Sequence, residues 1–349
     1  MSEALVTGPR SVDERRTPLV SVRDLEMRFP LSDGKFVQAC NRVSFDVFPG
    51  ETLGVVGESG SGKTTVGRCV LRLLNPLGGQ IHYRGTRIDQ LTANRFRTYR
   101  SKMQIVFQEA YDSLDPRDTV ETMLVESLTL HGKGDRARKQ ARAAELVDQV
   151  GLPRRTLEAR PAELSAGDQQ RAAIARALAS DPDFIVLDEP TSNLPPDAEV
   201  EIIELLQRLQ QELELAYLFI SHDLSLVRHF CHRVAVMYLS QVVEIGPQEE
   251  IFANPTHPYT RALLESVLRL TPRRRRRENP PDFQLRGEIP SPVDLPPACY
   301  LASRCPMVLD RCRQEPQELL PLVPGHDIRC WRGVEGDGVA TSGNTKVGP

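Results

Sequence analysis

The stretch Gly57-Glu58-Ser59-Gly60-Ser61-Gly62-Lys63-Thr64 decides the fold of this 349-residue chain. It fits the pattern G-x-x-x-x-G-K-[ST], follows the apolar run Thr52–Val56 and opens a helical pattern that extends to Leu74. Glycines let backbone N–H groups converge on phosphate oxygens, and the N-terminus of the following helix adds partial positive charge. We therefore predict a nucleotide-binding loop in which Lys63 reaches the β- and γ-phosphates and the Thr64 hydroxyl holds Mg²⁺.

Two adjacent carboxylates follow a second apolar run. Asp188 and Glu189 come directly after Phe184–Leu187, a run typical of a strand buried on both faces. Open α/β sheets bind ligands at the carboxyl ends of such strands. We predict that Asp188 holds Mg²⁺, directly or through water, and that Glu189 polarises an attacking water. An exposed loop pair is the alternative interpretation, which the phosphate loop makes the weaker one.

Composition excludes several classes of protein. The chain has 44 lysines and arginines against 47 aspartates and glutamates, so its net charge of −3 gives no reason to expect a nucleic acid partner. No run approaches the roughly 18 apolar residues of a membrane span, and the N-terminus lacks the apolar segment of a secretory signal. We expect a cytoplasmic protein whose seven cysteines are reduced thiols or ligands rather than disulfides.

Strand-like runs alternate with helical patterns over most of the chain. This alternation predicts an α/β fold with a mainly parallel sheet between helices. The helical patterns cover Arg136–Val150, Gln169–Ala179 and Ala198–Leu213, and later strand-like runs are Leu218–Ile220 and a hairpin over Val234–Ile245.

Shifts in composition give the predicted domain boundaries. From Asn254 onward prolines increase and periodicity fades, which predicts a small irregular C-terminal domain. The five consecutive arginines Arg273–Arg277 are interpreted as a solvated linker. The full division is a flexible N-terminus at 1–17, a nucleotide-binding domain at 18–252 with a helical subdomain at about 93–182, the C-terminal domain at 253–333 and a disordered tail at 334–349.

Four further motifs resemble those of one protein family. The run from Leu164 to Arg171, LSAGDQQR, is similar to the LSGGQ signature of ABC ATPases. Phe29 resembles their adenine-stacking aromatic residue, Gln108 their Q-loop glutamine and His222 their switch histidine. Each match alone is weak, but together with the phosphate loop they stand in family order. The resemblance implies a P-loop ABC nucleotide-binding domain, with a mixed sheet, a RecA-like core and a helical signature subdomain.

The same resemblance implies an ATP site between two cassettes that pair head to tail. Glu189 and His222 would be its catalytic residues, and Mg²⁺ would be held through Thr64, Gln108 and Asp188. The residues that would contact ATP are Phe29, Gly57, Glu58, Ser59, Gly60, Ser61, Gly62, Lys63, Thr64, Thr65 and Gln108.

The chain departs from the family pattern in elements that serve the partner's ATP. Ser165 and Gly167 would donate hydrogen bonds to the γ-phosphate bound by the partner cassette. Between and after them, Ala166 replaces a usual glycine and Asp168 a usual glutamine, and Pro195 replaces an aspartate that helps to organise the opposite site. The chain's own site keeps its motifs. We predict a heterodimer in which the site on this signature is the weaker one, with tolerated drift as the alternative.

Three motifs resemble the oligopeptide/dipeptide importer branch: Ser113–Arg117, His257–Leu264 and Gly287–Pro292. This resemblance implies an ATP-hydrolysing subunit that drives uptake of peptides or a related solute and lies peripherally on the cytoplasmic face of the cell membrane. Its partners would be two membrane permeases, a second ABC ATPase and an external solute-binding protein, with no nucleic acid. A soluble ABC ATPase without a transport role and a catalytically weak partner cassette are the alternatives.

Four cysteines cluster near the C-terminus: Cys299, Cys305, Cys312 and Cys330, spaced C-x5-C-x6-C-x17-C. A proline-rich segment without periodicity lacks a core of its own, so clustered thiols suggest a metal staple. Some members of the importer branch are similar here and carry a [4Fe–4S] cluster. The resemblance therefore implies that these four cysteines hold such a cluster. Zinc, which prefers C-x2-C pairs, and plain reduced cysteines are the alternatives.

Overall fold

The computed structural model describes residues 17–109, 114–132, 134–268 and 284–334. The predicted flexible N-terminus up to residue 16, Ser113 of the importer-like motif, the linker Arg273–Arg277 and the predicted tail from residue 335 lie outside the described residues.

The described residues form twelve strands and eleven α-helices. The strands are β1 (Val20–Pro30), β2 (Phe36–Val47), β3 (Thr52–Val56), β4 (Gly78–Tyr83), β5 (Thr86–Arg87), β6 (Met103–Val106), β7 (Phe184–Asp188), β8 (Ala216–Ile220), β9 (Arg233–Tyr238), β10 (Gln241–Pro247), β11 (Leu320–Val323) and β12 (His326–Ile328). The helices are α1 (Lys63–Val70), α2 (Ala93–Arg100), α3 (Val120–Leu130), α4 (Arg136–Gln149), α5 (Ala166–Leu178), α6 (Pro196–Leu213), α7 (Leu224–Phe230), α8 (Gln248–Ala253), α9 (Pro258–Leu268), α10 (Arg311–Gln314) and α11 (Trp331–Val334).

The strands form two sheets. The smaller has the order β2-β1-β4-β5 and is antiparallel, and the larger has the order β11-β12-β10-β9-β3-β8-β7-β6. In the larger sheet β9, β3, β8, β7 and β6 run parallel, whereas β10, β12 and β11 add antiparallel pairs. The carboxyl ends of β3, β6, β7 and β8 therefore meet at one edge of this sheet, which is the arrangement that the two sequence motifs require.

The central strands are buried on both faces. In β8, Tyr217 and Phe219 belong to one apolar cluster, while Leu218 and Ile220 belong to a second cluster on the opposite face. Successive side chains of a strand point to opposite faces, so the sheet has a separate core on each side. This explains why β3, β7 and β8 are continuous apolar runs rather than alternating ones.

The predicted elements are found with small changes at their ends. The helix expected to reach Leu74 ends at Val70, because Arg72 adopts the left-handed backbone conformation with φ of 51°. Arg72 then donates a hydrogen bond to the Leu91 carbonyl oxygen. The predicted hairpin is confirmed as β9 and β10, joined through Leu239 and Ser240, which also have positive φ.

The segment after Asn254 has more regular structure than its sequence indicates. It contains helix α9, and a short hairpin of β11 and β12 joins the large sheet through pairs Glu244–Ile328 and Ile245–Asp327. Among the helices of the described residues, none has both the length and the apolar character needed to cross a membrane.

Candidate functional site

The phosphate loop connects β3 to α1 and depends on glycine at its last turn. Gly62 has φ of 100°, and a Cβ there would lie 2.0 Å from the Ala39 carbonyl oxygen. Lys63 folds back and its Nζ donates to the carbonyl oxygens of Gly57 and Glu58, both at 2.9 Å. Burial lowers the pKa of Lys63, and nearby carboxylates, Glu189 first among them, oppose that shift. The loop thus holds the Lys63 ammonium group beside backbone N–H groups, as a phosphate site requires.

Thr64 and Asp188 meet although 124 positions separate them. The Thr64 hydroxyl, in the first turn of α1, donates to Asp188 Oδ1 at 2.8 Å. Asp188 ends β7 and is 2% exposed, and burial raises the pKa of its carboxyl. A hydroxyl and a carboxylate oxygen side by side next to a phosphate loop are the ligand types that Mg²⁺ prefers.

Glu189 and His222 form a second pair at the same sheet edge. His222 Nδ1 lies 3.1 Å from Glu189 Oε2, and the Glu189 amide donates to the Ile220 carbonyl oxygen at 2.9 Å. Glu189 has φ of 48°, a left-handed conformation that non-glycine residues rarely adopt. The structure therefore brings a candidate base and a candidate orienting imidazole within hydrogen-bond reach.

The remaining predicted ATP contacts lie around this centre. Gln108 is exposed just after β6, at the same sheet edge, and Phe29 is half-buried on β1 opposite Val37. The Ser61 hydroxyl is buried and has no hydrogen-bond partner among the described residues, which suits a loop that receives a phosphate oxygen. The other loop residues named above, Ser59, Gly60 and Thr65, complete the turn and the start of α1.

The signature residues stand at the N-terminus of α5. Ser165 is the N-cap: its hydroxyl oxygen accepts from the Asp168 amide at 3.2 Å and its hydroxyl donates to Asp168 Oδ2 at 2.8 Å. Serine followed three residues later by an acidic residue is a good helix start, since both the cap and the charge stabilise the exposed N–H groups. Asp168 therefore stabilises the helix and at the same time occupies the Ser165 hydroxyl.

Pro195 has a comparable local role at the next helix. It is the N-cap of α6, it contributes no side-chain cap, and Pro196 fills the first helical position. Proline suits that first position because its missing N–H has no intrahelical partner there. Pro195 supplies no carboxylate, and the loop after Glu189 has no charged side chain before Asp197.

The four clustered cysteines line one cavity in the C-terminal segment. Cys299, Cys305, Cys312 and Cys330 face it together with His257 and other side chains. Burial raises the pKa of Cys299 to about 12 and that of Cys305 to about 11. Within the described ranges, no group of three or more His, Cys, Asp or Glu side chains is placed to hold a metal ion.

One contact at the phosphate loop is absent from the sequence-based prediction. The Glu58 amide donates to the Tyr259 hydroxyl at 3.1 Å, across 201 positions. Tyr259 belongs to His257–Leu264, which resembles an importer motif. Nothing in the sequence of that motif indicates that it contacts the phosphate loop. Only the folded chain reveals the contact.

Two family models match the chain. The one described as ABC transporter covers residues 40–192, and the one described as oligopeptide/dipeptide transporter, C-terminal region, covers residues 243–312. The first range includes the phosphate loop and the signature, and the second includes the Tyr259 segment.

Known relatives match over nearly the whole chain. A peptide import ATP-binding protein of Brucella ovis is 44% identical over 316 residues, which cover 90% of this chain and 98% of the relative. The oligopeptide transport ATP-binding protein AppF of Bacillus subtilis is 40% identical over 319 residues, covering 89% and 96%.

Two solved structures share the fold. One is a dimeric post-hydrolysis state of the ATP-binding cassette MJ0796 bound to ADP and Pi, with a TM-score of 0.60, 26% identity, and coverage of 66% of this chain and 98% of that one. The other is cbiO1 from Clostridium perfringens, part of the transporter complex cbiONQ, with a TM-score of 0.61, 26% identity, and coverage of 73% and 96%.

Proposed function

Because this chain belongs to the family of ABC transporter ATP-binding subunits, in the branch that imports peptides, we propose that the groups gathered at the carboxyl edge of its large sheet form one working ATP site. The chain is an ATP-hydrolysing subunit of a peptide importer, and the predicted P-loop ABC fold is confirmed. The observation that carries the proposal is the convergence of two pairs, Thr64 with Asp188 and Glu189 with His222.

In the proposed reaction the protein supplies position and charge. Phosphoryl transfer needs little covalent chemistry from the enzyme, so most of the rate gain comes from placing water and phosphate in line and stabilising the developing charge. Lys63 would leave the loop carbonyls for the β- and γ-phosphates, Glu189 would polarise the attacking water, and His222 would orient Glu189 and the γ-phosphate. Phe29 would stack on the adenine.

Thr64, Asp188 and Gln108 would hold Mg²⁺, which neutralises charge on the phosphate oxygens when bound. The first two fit that role because their oxygens already meet at 2.8 Å. Gln108 stands at the same sheet edge, and its side chain would couple the binding of Mg²⁺ and γ-phosphate to the contact with the permease.

The chain works with membrane permease and substrate-binding partners, and we propose that it pairs with a second, distinct ATPase at the cytoplasmic face of the membrane. Tagged purification from detergent-solubilised native membranes, with mass spectrometry of the captured proteins, tests this assembly. Two permeases and a second ATPase support it, whereas two permeases without a second ATPase indicate a homodimer. Capture of no membrane protein would favour a soluble ABC ATPase instead.

The Ser165–Asp168 hydrogen bond supports an asymmetric pair. A γ-phosphate that approaches this signature must compete with the Asp168 carboxylate for the Ser165 hydroxyl, and it meets a like charge. We therefore propose that the ATP bound by the partner's phosphate loop is held weakly and is hydrolysed slowly.

Replacing Asp168 with Asn should strengthen that weaker site. The substitution keeps the size of the side chain and removes the like charge, so we expect about 3- to 10-fold tighter ATP binding at the partner's phosphate loop in the assembled importer. Loss of the acidic helix start should lower the stability of the chain by about 0.5 kcal/mol. Nucleotide titration and thermal unfolding check the two effects. Unchanged ATP affinity in both Asp168→Asn and Asp168→Gln would contradict the proposed repulsion.

We further propose that the four-cysteine cavity holds a [4Fe–4S] cluster. The thiols share one cavity, and backbone amides lower the pKa of three of them against the effect of burial: Leu301 for Cys299, Met307 for Cys305, and Arg332 and Gly333 for Cys330. Hydrogen bonds to sulfur are a usual means by which a protein stabilises cluster thiolates.

Metal and sulfide analysis of anaerobically purified protein tests the cluster. We expect about four iron and four acid-labile sulfide per chain, with loss of most of both in Cys299→Ser and Cys312→Ser. Cys231→Ser is the matched control, because Cys231 is buried away from the cavity and should leave the iron content unchanged. Bound zinc, or protein that folds normally without metal, would reject the cluster in favour of one of the two alternatives.

A further inference from the structure

The phosphate loop is held from outside by the C-terminal segment. The Tyr259 hydroxyl, near the start of α9, accepts a hydrogen bond from the Glu58 amide at 3.1 Å. Tyr259 is 1% exposed, and its ring packs against Tyr238 of β9 with ring centres 4.6 Å apart. A ring fixed by such packing places its hydroxyl at one point, so the contact is not a chance approach of a mobile side chain.

The peptide unit between Gly57 and Glu58 is bonded at both ends. Its N–H donates to Tyr259, and its carbonyl oxygen accepts from Lys63 Nζ at 2.9 Å. Gly57 itself has φ of 152°, and a Cβ there would lie 2.2 Å from the Met237 carbonyl oxygen. This peptide is therefore the point at which the chain turns out of β3 into the loop, and its orientation sets the direction of the N–H groups that follow.

The backbone of Tyr259 is fixed in turn by buried polar contacts. The Tyr259 amide donates to His257 Nδ1 at 3.1 Å, and the His257 amide donates to Glu244 Oε2 at 3.0 Å. Glu244, on β10, is fully buried and also accepts from the Thr256 amide at 2.9 Å. The start of α9 is thus tied to the large sheet on the side that faces the phosphate loop.

We infer that Tyr259 is a positioning residue of the ATP site, which orients the Gly57–Glu58 peptide so that the phosphate loop is preorganised for nucleotide. The inference rests on the proposed ATP site and adds to it a residue from the C-terminal segment. It makes that segment part of nucleotide binding within one chain. A preorganised loop spends less binding energy on ordering itself when the phosphates arrive.

Tyr259→Phe tests the inference, because it removes the hydroxyl and keeps the ring that packs on Tyr238. One hydrogen bond of this kind predicts about 3- to 10-fold weaker MgATP binding to the full-length chain. In the assembled importer, KM for ATP should rise by a similar factor while kcat at saturating ATP stays within about twofold, since Tyr259 does not touch the reacting groups. A residue that only supported the fold would shift the unfolding temperature without this split.

Tyr217→Phe is the matched control. Tyr217 is also fully buried, but its hydroxyl donates to the carbonyl oxygen of Leu206 on α6 and not to the phosphate loop. It should lower stability to a similar extent and leave nucleotide affinity unchanged. Equal ATP affinity in wild type and folded Tyr259→Phe, or equal loss in both variants, overturns the inference.

Amide hydrogen exchange on the wild-type chain gives a second test that needs no variant. The Glu58 amide should be protected before nucleotide is added, because its hydrogen bond to Tyr259 already exists. Exchange as fast as that of an open loop overturns the inference. Failure of the wild-type chain to bind MgATP at all would instead reject the proposed ATP site, so the two failures are distinguishable.

Discussion

Replacing Glu189 with Gln is expected to lower ATP hydrolysis by the assembled importer about 100- to 1000-fold while ATP remains bound. The amide keeps the shape of the side chain but cannot polarise water, and a positioned base of this kind contributes about that factor to a rate. ATP binding persists because Lys63 and the loop N–H groups are unchanged. Phosphate release and binding of a fluorescent ATP analogue measure the two quantities separately.

The structure offers a matched control for this substitution. Glu212 is a half-exposed carboxylate near the end of α6, where it pairs with Arg208 at 3.3 Å. Glu212→Gln removes the same charge far from the phosphate loop. Because exposed ion pairs of this type contribute little to stability, the variant should fold normally and keep its turnover within about twofold of wild type. Turnover by Glu189→Gln above about a tenth of the wild-type rate would show that another group supplies the base.

Hydrolysis should depend on His222 through Glu189 as well as directly. The imidazole is the more exposed of the pair, with a side-chain exposure of 64% against 17% for the carboxylate. Glu189 also has a strained backbone, so its direction is set by the turn and by the bond to His222. For this reason the losses of hydrolysis rate caused by substituting Glu189 and by substituting His222 should not be additive, as is usual for residues that act as one unit.

The centre of the site was predictable because its parts are short local patterns. The phosphate loop is continuous in sequence and lies between a strand and a helix, and Asp188 follows an apolar run that is typical of a buried strand. Parallel strands bring their carboxyl ends to the same edge, so Thr64 and Asp188 were expected to meet. The switch histidine needed the family resemblance, since one histidine at a strand end carries little information.

Other contacts could not be predicted for identifiable physical reasons. The bond between Glu58 and Tyr259 joins residues 201 positions apart, and nothing in the local pattern of either indicates the other. The hairpin of β11 and β12 has short strands, one of them with a proline, so its periodicity is too weak to detect. By contrast, Ser165 and Asp168 have the spacing of a helix cap, so their contact is one that a local pattern predicts.

Lys63→Ala should have a much larger effect than the same change in the partner ATPase. Lys63 is buried at the phosphate loop and is the loop's own cation, so its loss should reduce ATP-driven uptake about 100-fold or more. The equivalent lysine of the partner serves the site that faces Asp168, where ATP is already held weakly. Its replacement should reduce uptake by less than about tenfold.

Reconstituted importer carrying one substitution at a time measures this difference, with ATP turnover and solute uptake read from the same vesicles. Equal losses from the two lysines would refute the asymmetry and make Ala166, Asp168 and Pro195 tolerated changes. The Ser165–Asp168 hydrogen bond predicts unequal losses from the two lysine substitutions. When each lysine substitution is then combined with Asp168→Asn, the two losses should become more nearly equal, because the second site regains the signature hydroxyl. These combined variants would link the asymmetry to one carboxylate rather than to a general weakness of the partner chain.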